Sequence, residues 1–255
     1  MHDVTVTDTE GGVRLIALNR PAKKNALTGA MYDAMREALD AADASPEIGA
    51  VVFAGLPGVF SAGNDLADFA ESARKPFSEA PALHFIRQLA RTATPMVAAV
   101  DGIAVGIGAT LTLHCDLVFL GPSARLRMPF VELGLVPEAA SSYLLPRRVG
   151  LAKATELLLL SEPCGADAAV ALGLANGVIP SDMLLEHALA QAARLAALPR
   201  GAVEATRRLI RGDRGAVEAA LEAEATAFEE RLRSPEAQAA FEAFFARAAK
   251  PGTRA

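Results

Sequence analysis

Hydrophobic and polar positions follow a strand-like period in the earlier part of the chain and a helical period toward its end. Val4–Thr7 and Val13–Leu18 have the strand pattern, with Glu10, Gly11 and Gly12 between them, which predicts a β-hairpin. Beyond about Ser181 no strand pattern remains. The pattern there predicts four helices separated by Pro or Gly, at residues 183–198, 201–211, 216–233 and 235–249.

Between these ends, short apolar runs alternate with helical stretches. Thr28 is suited to cap a helix that runs to about Ala44, and a second helix is predicted over 83–93. Buried strands are predicted at 48–54, 96–100 and 116–120, with a short one at 125–128. No dinucleotide-binding fingerprint accompanies them, so the recurrence indicates an α/β architecture of stacked β-β-α units.

Composition narrows the classes of function. The 255 residues are enough for a substantial single core, and 52% of them are hydrophobic while 5% are aromatic. The net charge of −5 argues against a general nucleic-acid or membrane-surface binder. The two cysteines have no CxxC spacing and the first residues carry no signal-peptide pattern, so a cytoplasmic protein without disulfides is expected. The most apolar stretch, 95–120, is interrupted by charges and glycines and is not a predicted membrane span.

Two loops of small residues follow predicted strands. Gly106 and Gly108 lead from the strand at 96–100 into an apolar segment, and Phe60–Leu66 follows the strand at 48–54. Glycine lets the backbone approach a ligand closely. Two backbone N–H groups that converge on one oxygen form an oxyanion hole, and these loops are candidates to supply them.

Taken in order, these segments resemble the crotonase family, the enoyl-CoA hydratase/isomerase superfamily. The matching segments keep their order from about residue 4 to the C-terminus: Asn19–Pro21, Asn25–Leu27, Phe60–Leu66, Ala99–Gly108, Cys115–Leu117 and Pro129–Glu138. The resemblance implies a crotonase-like spiral core with an acyl-CoA site over residues 1–195. It implies a C-terminal helical region over 196–255 that covers the site and packs in a homo-trimer or hexamer. The apolar residues of the last helices predict that Phe241, Phe244 or Phe245 lies near a neighbouring subunit, and packing within the chain is the alternative.

The resemblance also assigns the polar chemistry. It places the thioester oxygen at the backbone N–H groups of Asn64 and Ile107, whatever their side chains. Family hydratases carry two glutamates that activate and orient water, and here their positions hold Thr110 and Phe130. Neither side chain is a base near neutral pH, so efficient hydration in the usual way is not expected.

One carboxylate remains at a position that a branch of the family uses. Glu138 matches the glutamate of 3-enoyl-CoA to 2-enoyl-CoA isomerases, and we expect it at a loop-to-helix entry among apolar residues. Burial raises the pKa of a carboxyl group toward the range useful for a proton shuttle. Its structural alternative is a first-turn glutamate that complements the helix dipole. Glu132 is the competing base, with a surface salt bridge as its alternative role.

The remaining substrate contacts are implied by the resemblance to line the coenzyme A and acyl portions. They are Lys24, Ala26, Ala62, Asp65, Leu66, Gly106, Thr110 and Phe130. Lys23, Lys24 and Lys250 are candidates for the coenzyme A phosphates. His84 and His114 lack a second histidine at metal-binding spacing, so no metal is expected, and no cofactor beyond the coenzyme A of the substrate.

These features favour an enzyme that shifts the double bond of a 3-enoyl-CoA to the 2-position. One alternative is a hydratase, or another crotonase reaction, that takes its carboxylate from an unassigned loop. The other is a non-catalytic acyl-CoA-binding oligomer, in which the lost glutamates reflect lost chemistry.

Overall fold

The computed structural model describes residues 2–68 and 76–248. Its strands are β1 (Val4–Asp8), β2 (Val13–Leu18), β3 (Ala50–Ala54), β4 (Val59–Ser61), β5 (Met96–Val100), β6 (Ile103–Val105), β7 (Leu117–Leu120), β8 (Arg125–Arg127), β9 (Cys164–Gly165) and β10 (Gly177–Val178). A six-stranded sheet has the order β1-β2-β3-β5-β7-β10, and a four-stranded sheet has the order β4-β6-β8-β9.

The larger sheet begins with the predicted hairpin and continues in parallel. β1 and β2 pair antiparallel, with Val4 opposite Leu18. β2, β3, β5, β7 and β10 run parallel, and every residue of β3 and β5 is buried, as in a sheet covered on both faces. From β3, β5 and β7 the chain crosses to the smaller sheet and then turns into a helical stretch. The predicted spiral of stacked β-β-α units is therefore confirmed.

The predicted helices are present with small shifts at their ends, and the helices at Leu151–Leu159 and Ala166–Ala171 are additional to the prediction. Those whose bounds lie within the described residues are α1 (Gly29–Ala44), α2 (Pro81–Arg91), α3 (Ile107–Thr110), α4 (Ser141–Val149), α5 (Leu151–Leu159), α6 (Ala166–Ala171), α7 (Leu184–Ala196), α8 (Arg200–Arg211), α9 (Arg214–Leu232) and α10 (Pro235–Ala248). The predicted cap of α1 is confirmed, because the Thr28 hydroxyl accepts the Met31 N–H at 3.4 Å. α2 begins at Pro81, where a missing N–H costs nothing.

The glycine-led helix is short. α3 has four residues and gives way to a 3-10 turn at Leu111–His114. The chain must return to the sheet at once, because the Asp116 N–H bonds to the Met96 carbonyl oxygen at 2.7 Å and β7 starts at the next residue. The site therefore depends on the first amides of this turn rather than on a long helix.

Among the C-terminal helices, α7 packs directly on the larger sheet, whereas α9 packs against α2 and α4 and α10 packs against the 3-10 turn at Val131–Leu133. α7 covers one face through Leu184, Ala188 and Ala192. α9 and α10 contribute to the core on the other face, through Leu221, Phe228, Leu232 and Ala237. The predicted boundary between residues 195 and 196 falls just inside the end of α7, and the division into two regions stays a prediction. Across the part of the chain described above, no helix has both the length and the apolar character to span a bilayer.

Candidate active site

Two loops meet where β4 and β6 end. The strands are parallel neighbours, so their carboxyl ends lie side by side. Gly63, just after β4, has a φ of 87°, and a Cβ on it would lie 2.9 Å from the Val105 carbonyl oxygen. Only glycine permits this approach, which sets the backbone of Asn64 beside the turn at Gly106.

The backbone at this junction has unpaired N–H groups. The Gly106 N–H bonds to the Arg127 carbonyl oxygen at 2.9 Å, and the Gly106 carbonyl oxygen accepts the Thr110 N–H at 2.9 Å. By contrast, neither the Asn64 N–H nor the Ile107 N–H has a hydrogen-bond acceptor among the described residues. Amides left unpaired in this way are available to the oxygen of a ligand.

The side chain of Asn64 is held from α1. The hydroxyl of the buried Tyr32 donates to Asn64 Oδ1 at 2.5 Å. Burial raises the pKa of Tyr32 well above its ordinary value, and the Glu138 carboxylate adds to the rise. The phenol therefore keeps its proton. The Asn64 side chain, incidental in the sequence-based interpretation, anchors its loop.

Glu138 lies just before α4 with its side chain buried. The Thr110 hydroxyl donates to Glu138 Oε1 at 2.5 Å, while Glu138 Oε2 has no hydrogen-bond partner within the described chain. Burial raises the pKa of Glu138 from 4.5 to about 8; the Thr110 hydrogen bond opposes this rise, and the Glu224 carboxylate adds to it. Such a carboxyl group exchanges a proton near neutral pH and has a free oxygen with which to do so.

The backbone that follows Glu138 is strained. Ala139 and Ala140 have left-handed φ values of 58° and 54°, a conformation that costs about 1–2 kcal/mol for a residue with a Cβ. The turn is held by His114, whose Nε2 lies 2.7 Å from the Ala139 carbonyl oxygen. Burial lowers the pKa of His114 to about 4, so the ring is neutral and donates from Nε2. Glu224 holds the other side by accepting the Ala140 N–H at 2.6 Å.

Thr110 and Phe130, which the sequence analysis places at the two hydratase glutamate positions, lie around the same turn. Thr110 is buried, and its hydroxyl also lies 3.3 Å from the Gly106 carbonyl oxygen. Phe130 is buried, and its Cε1 lies 4.0 Å from the place where a Cβ on Gly106 would stand. The structure thus brings Phe130, Gly106, Thr110 and Glu138 together, with an aromatic ring as the apolar wall.

The two segments predicted to line coenzyme A, residues 22–26 and 62–66, are joined to each other. The Ala62 N–H bonds to the Lys24 carbonyl oxygen at 2.9 Å. The buried Asn25 amide donates to the Phe60 carbonyl oxygen at 3.0 Å. Lys24 is exposed and Ala26 is half-buried, so the seam between the two segments has a side open to solvent.

Asp65 has structural partners. Its carboxylate pairs with Arg20 at 2.7 Å and accepts the Ala67 N–H at 3.1 Å. Leu66 begins the helical segment capped in this way and is half-buried. Lys250, the remaining phosphate candidate, lies outside the described residues.

Glu132 stands in different surroundings from Glu138. Its side chain is 47% exposed and pairs with Arg127 at 2.6 Å. The surface salt bridge predicted as its alternative role is therefore present. A solvated and paired carboxylate is a poorer proton shuttle than a buried one with a free oxygen.

No metal-binding group was found in the described part of the chain, in the sense of three or more clustered His, Cys, Asp or Glu side chains. A cavity of about 20 Å³ adjoins Tyr32 and Asn64. A wider cavity of about 670 Å³ lies between α2, α4, α8 and α9, and its lining includes seven arginines but not Asn64, Ile107 or Glu138. Tyr32 and Asn64 thus border the smaller cavity, while Ile107 and Glu138 line neither cavity and lie by the Gly106 turn.

Comparison with known proteins shows to which family the chain belongs. A family model described as "Enoyl-CoA hydratase/isomerase" matches residues 8–251. The chain belongs to the enoyl-CoA hydratase/isomerase family. The "2,3-dehydroadipyl-CoA hydratase" of Escherichia coli (strain K12) is 35% identical over 199 residues, or 78% of this chain and 78% of that protein. The "Enoyl-CoA delta isomerase 2" of Rattus norvegicus is 35% identical over 249 residues, or 95% of this chain and 63% of that protein.

Solved structures are also similar to this member of the enoyl-CoA hydratase/isomerase family. Pseudomonas aeruginosa OdaA is 43% identical with a TM-score of 0.91, over 96% of this chain and 99% of that one. An enoyl-CoA hydratase/isomerase from Pseudoalteromonas atlantica T6c is 35% identical with a TM-score of 0.90, over 99% and 100%. The family acts on acyl-CoA thioesters, and this chain is an enzyme of that family.

Two residues that contact this site are absent from the sequence-based prediction. Glu224 shares a helical face with Leu221 and Phe228, three residues before and four after it. A carboxylate on an apolar stripe signals a buried and paired charge, so this pattern was available in the sequence. Tyr32, beside Met31 on α1, has no signal beyond its burial.

Proposed function

We propose that this protein is an enoyl-CoA isomerase that moves the double bond of a 3-enoyl-CoA to the 2-position. The observation that carries the proposal is Glu138, a buried carboxyl group with a pKa of about 8 and an unpartnered Oε2 among the described residues. A 1,3-proton shift needs one group that takes up a proton and returns it. Glu138 has the protonation equilibrium and the free oxygen for both steps.

In the proposed reaction, the Glu138 carboxylate removes a proton from C2. The C2–H electron pair forms the C1–C2 double bond of a dienolate, and the negative charge moves to the thioester oxygen. When the carbonyl reforms, the electrons move to a C2–C3 double bond, and the former C3–C4 pair takes the proton from Glu138 at C4. The carboxylate is regenerated, and no atom is gained or lost.

The unpaired N–H groups of Asn64 and Ile107 are suited to hold the dienolate oxygen. Preorganised donors of this kind stabilise charge as it develops, and each is worth roughly 10²–10³ in kcat. Tyr32 supports this arrangement, because its hydrogen bond to Asn64 fixes the loop before substrate arrives. Glu138 thereby supplies the base, and the two amides supply the hydrogen-bond donors for the developing negative charge.

The thioester is proposed to run along the seam between 22–26 and 62–66. The backbone hydrogen bond from Ala62 to Lys24 keeps this seam together. The exposed Lys23 and Lys24 lie at its solvent side, where the phosphates of coenzyme A need neutralisation. In this proposal Asp65 acts on the seam through its ion pair with Arg20.

Hydration of a 2-enoyl-CoA is the second candidate, because similar proteins carry hydratase names. It needs a water held over C3 and a proton delivered to C2. Here the Thr110 hydroxyl is engaged with Glu138, and the Phe130 ring borders the Gly106 turn. An aromatic wall and a single carboxylate oxygen without a partner among the described residues, Glu138 Oε2, favour proton return over water addition.

The test measures two reactions on the purified protein under the same conditions. One is double-bond migration in a panel of 3-enoyl-CoA thioesters, and the other is hydration of crotonyl-CoA. The proposal predicts that migration is the faster reaction. Hydration as fast as migration of every 3-enoyl-CoA tested would identify a hydratase. Acyl-CoA binding with neither reaction would identify a non-catalytic binder.

A further inference from the structure

A second buried carboxylate lies behind Glu138 and comes from the C-terminal region. Glu224, on α9, is only 7% exposed. Its carboxylate accepts the Ala140 N–H at 2.6 Å and the Ser142 N–H at 2.8 Å. The Ser142 hydroxyl donates to it as well, at 2.5 Å.

These hydrogen bonds meet a backbone that needs them. The first N–H groups of α4 have no acceptor within the helix, and the cap residue Ala140 offers no side-chain hydrogen bond of its own. Ala139 and Ala140 are both left-handed, and strained residues persist only where the surrounding contacts determine them. Glu224 supplies the missing acceptor from another part of the chain.

We propose that Glu224 is a positioning residue: from α9 it holds the Ala139–Ala140 turn and thereby fixes Glu138 against Thr110. This proposal rests on the function proposed above, in which Glu138 moves the proton. In this proposal α9 helps to position the catalytic group, in addition to covering the site.

The two carboxyl groups also interact through their charges. Burial raises the pKa of Glu224, while hydrogen bonds from Ser142 and Ala140 lower it. Because Glu224 has three donors and Glu138 has one, Glu224 is the group that ionises first. The negative charge of Glu224, together with burial, then raises the pKa of Glu138.

Two other titratable groups packed near Glu138 are uncharged. Tyr32, from α1, keeps its proton because burial raises its pKa well above the ordinary value. His114, which bonds to the Ala139 carbonyl oxygen, is neutral because burial lowers its pKa to about 4. Removing the charge of Glu224 should therefore lower the pKa of Glu138.

The test compares Glu224→Gln with Glu222→Gln. Gln keeps the size of the side chain but removes the charge. Its NH₂ group faces a backbone N–H that donates to the carboxylate in the parent, so that hydrogen bond is lost. Glu222 is on the same helix, exposed and paired with Arg87 at 2.7 Å, so its variant controls for loss of a carboxylate from α9. For each protein, kcat, KM and the pH dependence of kcat/KM are measured for 3-enoyl-CoA isomerisation, and folding is checked by circular dichroism.

Glu224→Gln should lower kcat about tenfold or more with KM nearly unchanged, since a misplaced catalytic group slows the chemical step. The acidic limb of kcat/KM should move down by roughly one pH unit, because a neighbouring like charge has gone. Glu222→Gln should keep the parent values. A folded Glu224→Gln protein whose acidic limb stays at the parent position overturns the proposal, whether or not its kcat falls.

An infrared titration needs no turnover and does not require the Glu224 variant to fold. The protonated-carboxyl band of Glu138 is identified by its loss in Glu138→Gln, and it should disappear near pH 8 in the parent. In Glu138→Gln, the band of Glu224 should disappear at a lower pH. A Glu224 band that persists to a higher pH than that of Glu138 overturns the proposal. The expected titrations in a protein without isomerase activity would refute the proposed function alone.

Discussion

The protonation state of Glu138 decides how fast the proposed reaction runs. Its pKa of about 8 lies well above the ordinary 4.5, so below pH 8 only a fraction of the protein carries the ionised base. That fraction grows with pH, so kcat/KM for isomerisation should rise about tenfold per pH unit and level off above the pKa. The measurement is kcat/KM from roughly pH 6 to 9.

The matched control for this profile is Glu132→Gln. Glu132 is largely exposed and paired with Arg127, so its loss should leave the profile unchanged. If kcat/KM of the parent were flat over the same range, the base would have an ordinary pKa. The assignment to a buried Glu138 would then fail.

At the scale of loops and strands, the site depends on the close approach of Gly63 to β6. Gly63→Ala would place a Cβ 2.9 Å from the Val105 carbonyl oxygen at a φ of 87°. The loop must then move and take the Asn64 N–H with it. We expect kcat for isomerisation to fall roughly 10²-fold or more, the effect of losing one oxyanion-hole donor.

Gly58→Ala is the control for backbone strain. Gly58 lies in the loop before β4 with a φ of 77°, but a Cβ there would meet nothing within 4 Å. The variant should cost about 1–2 kcal/mol of stability and keep its activity. Equal activity losses in the two variants, in steady-state assays of folded protein, would show that strain rather than displacement of Asn64 is responsible.

The sequence predicts the long elements of this fold better than the short ones. α1 has both a cap at Thr28 and an apolar stripe over several turns, so its position follows from the pattern. β4 and β6 have three residues each, too few to show a period, and the prediction does not contain them. Yet their pairing brings the Gly63 loop against the turn at Gly106.

The residues of the candidate site likewise differ in how far the sequence predicts them. Glu138, Asn64 and Ile107 were reached through the family resemblance, and the burial of Glu138 followed from its apolar neighbours. The contact between Glu224 and Ala140 joins positions 84 residues apart and depends on how α9 docks. The spacing of apolar residues on α9 therefore predicts that Glu224 is buried, but it does not predict which groups Glu224 contacts.

For the whole molecule, assembly remains a prediction. α8 exposes Leu209 and Ile210, which are 84% and 79% exposed, and apolar side chains so exposed together favour a contact with another chain. On α10, Phe244 is 46% exposed, and the side chain of Phe245 lies outside the described part. Sedimentation at micromolar concentration should give a trimer or hexamer, and Ile210→Glu should shift it toward monomer. A monodisperse monomer of the parent would contradict this prediction.

The most direct test of the proposed chemistry is the isomerisation rate of Glu138→Gln, measured beside its affinity for the acyl-CoA. The amide keeps the shape of the side chain and removes the base, so the loss should fall on the chemical step. We expect kcat to fall roughly 10²–10⁴-fold with binding nearly intact, and Glu132→Gln to behave as the parent. Isomerisation by Glu138→Gln within a few-fold of the parent rate would remove Glu138 from the mechanism and make Glu132 the candidate base.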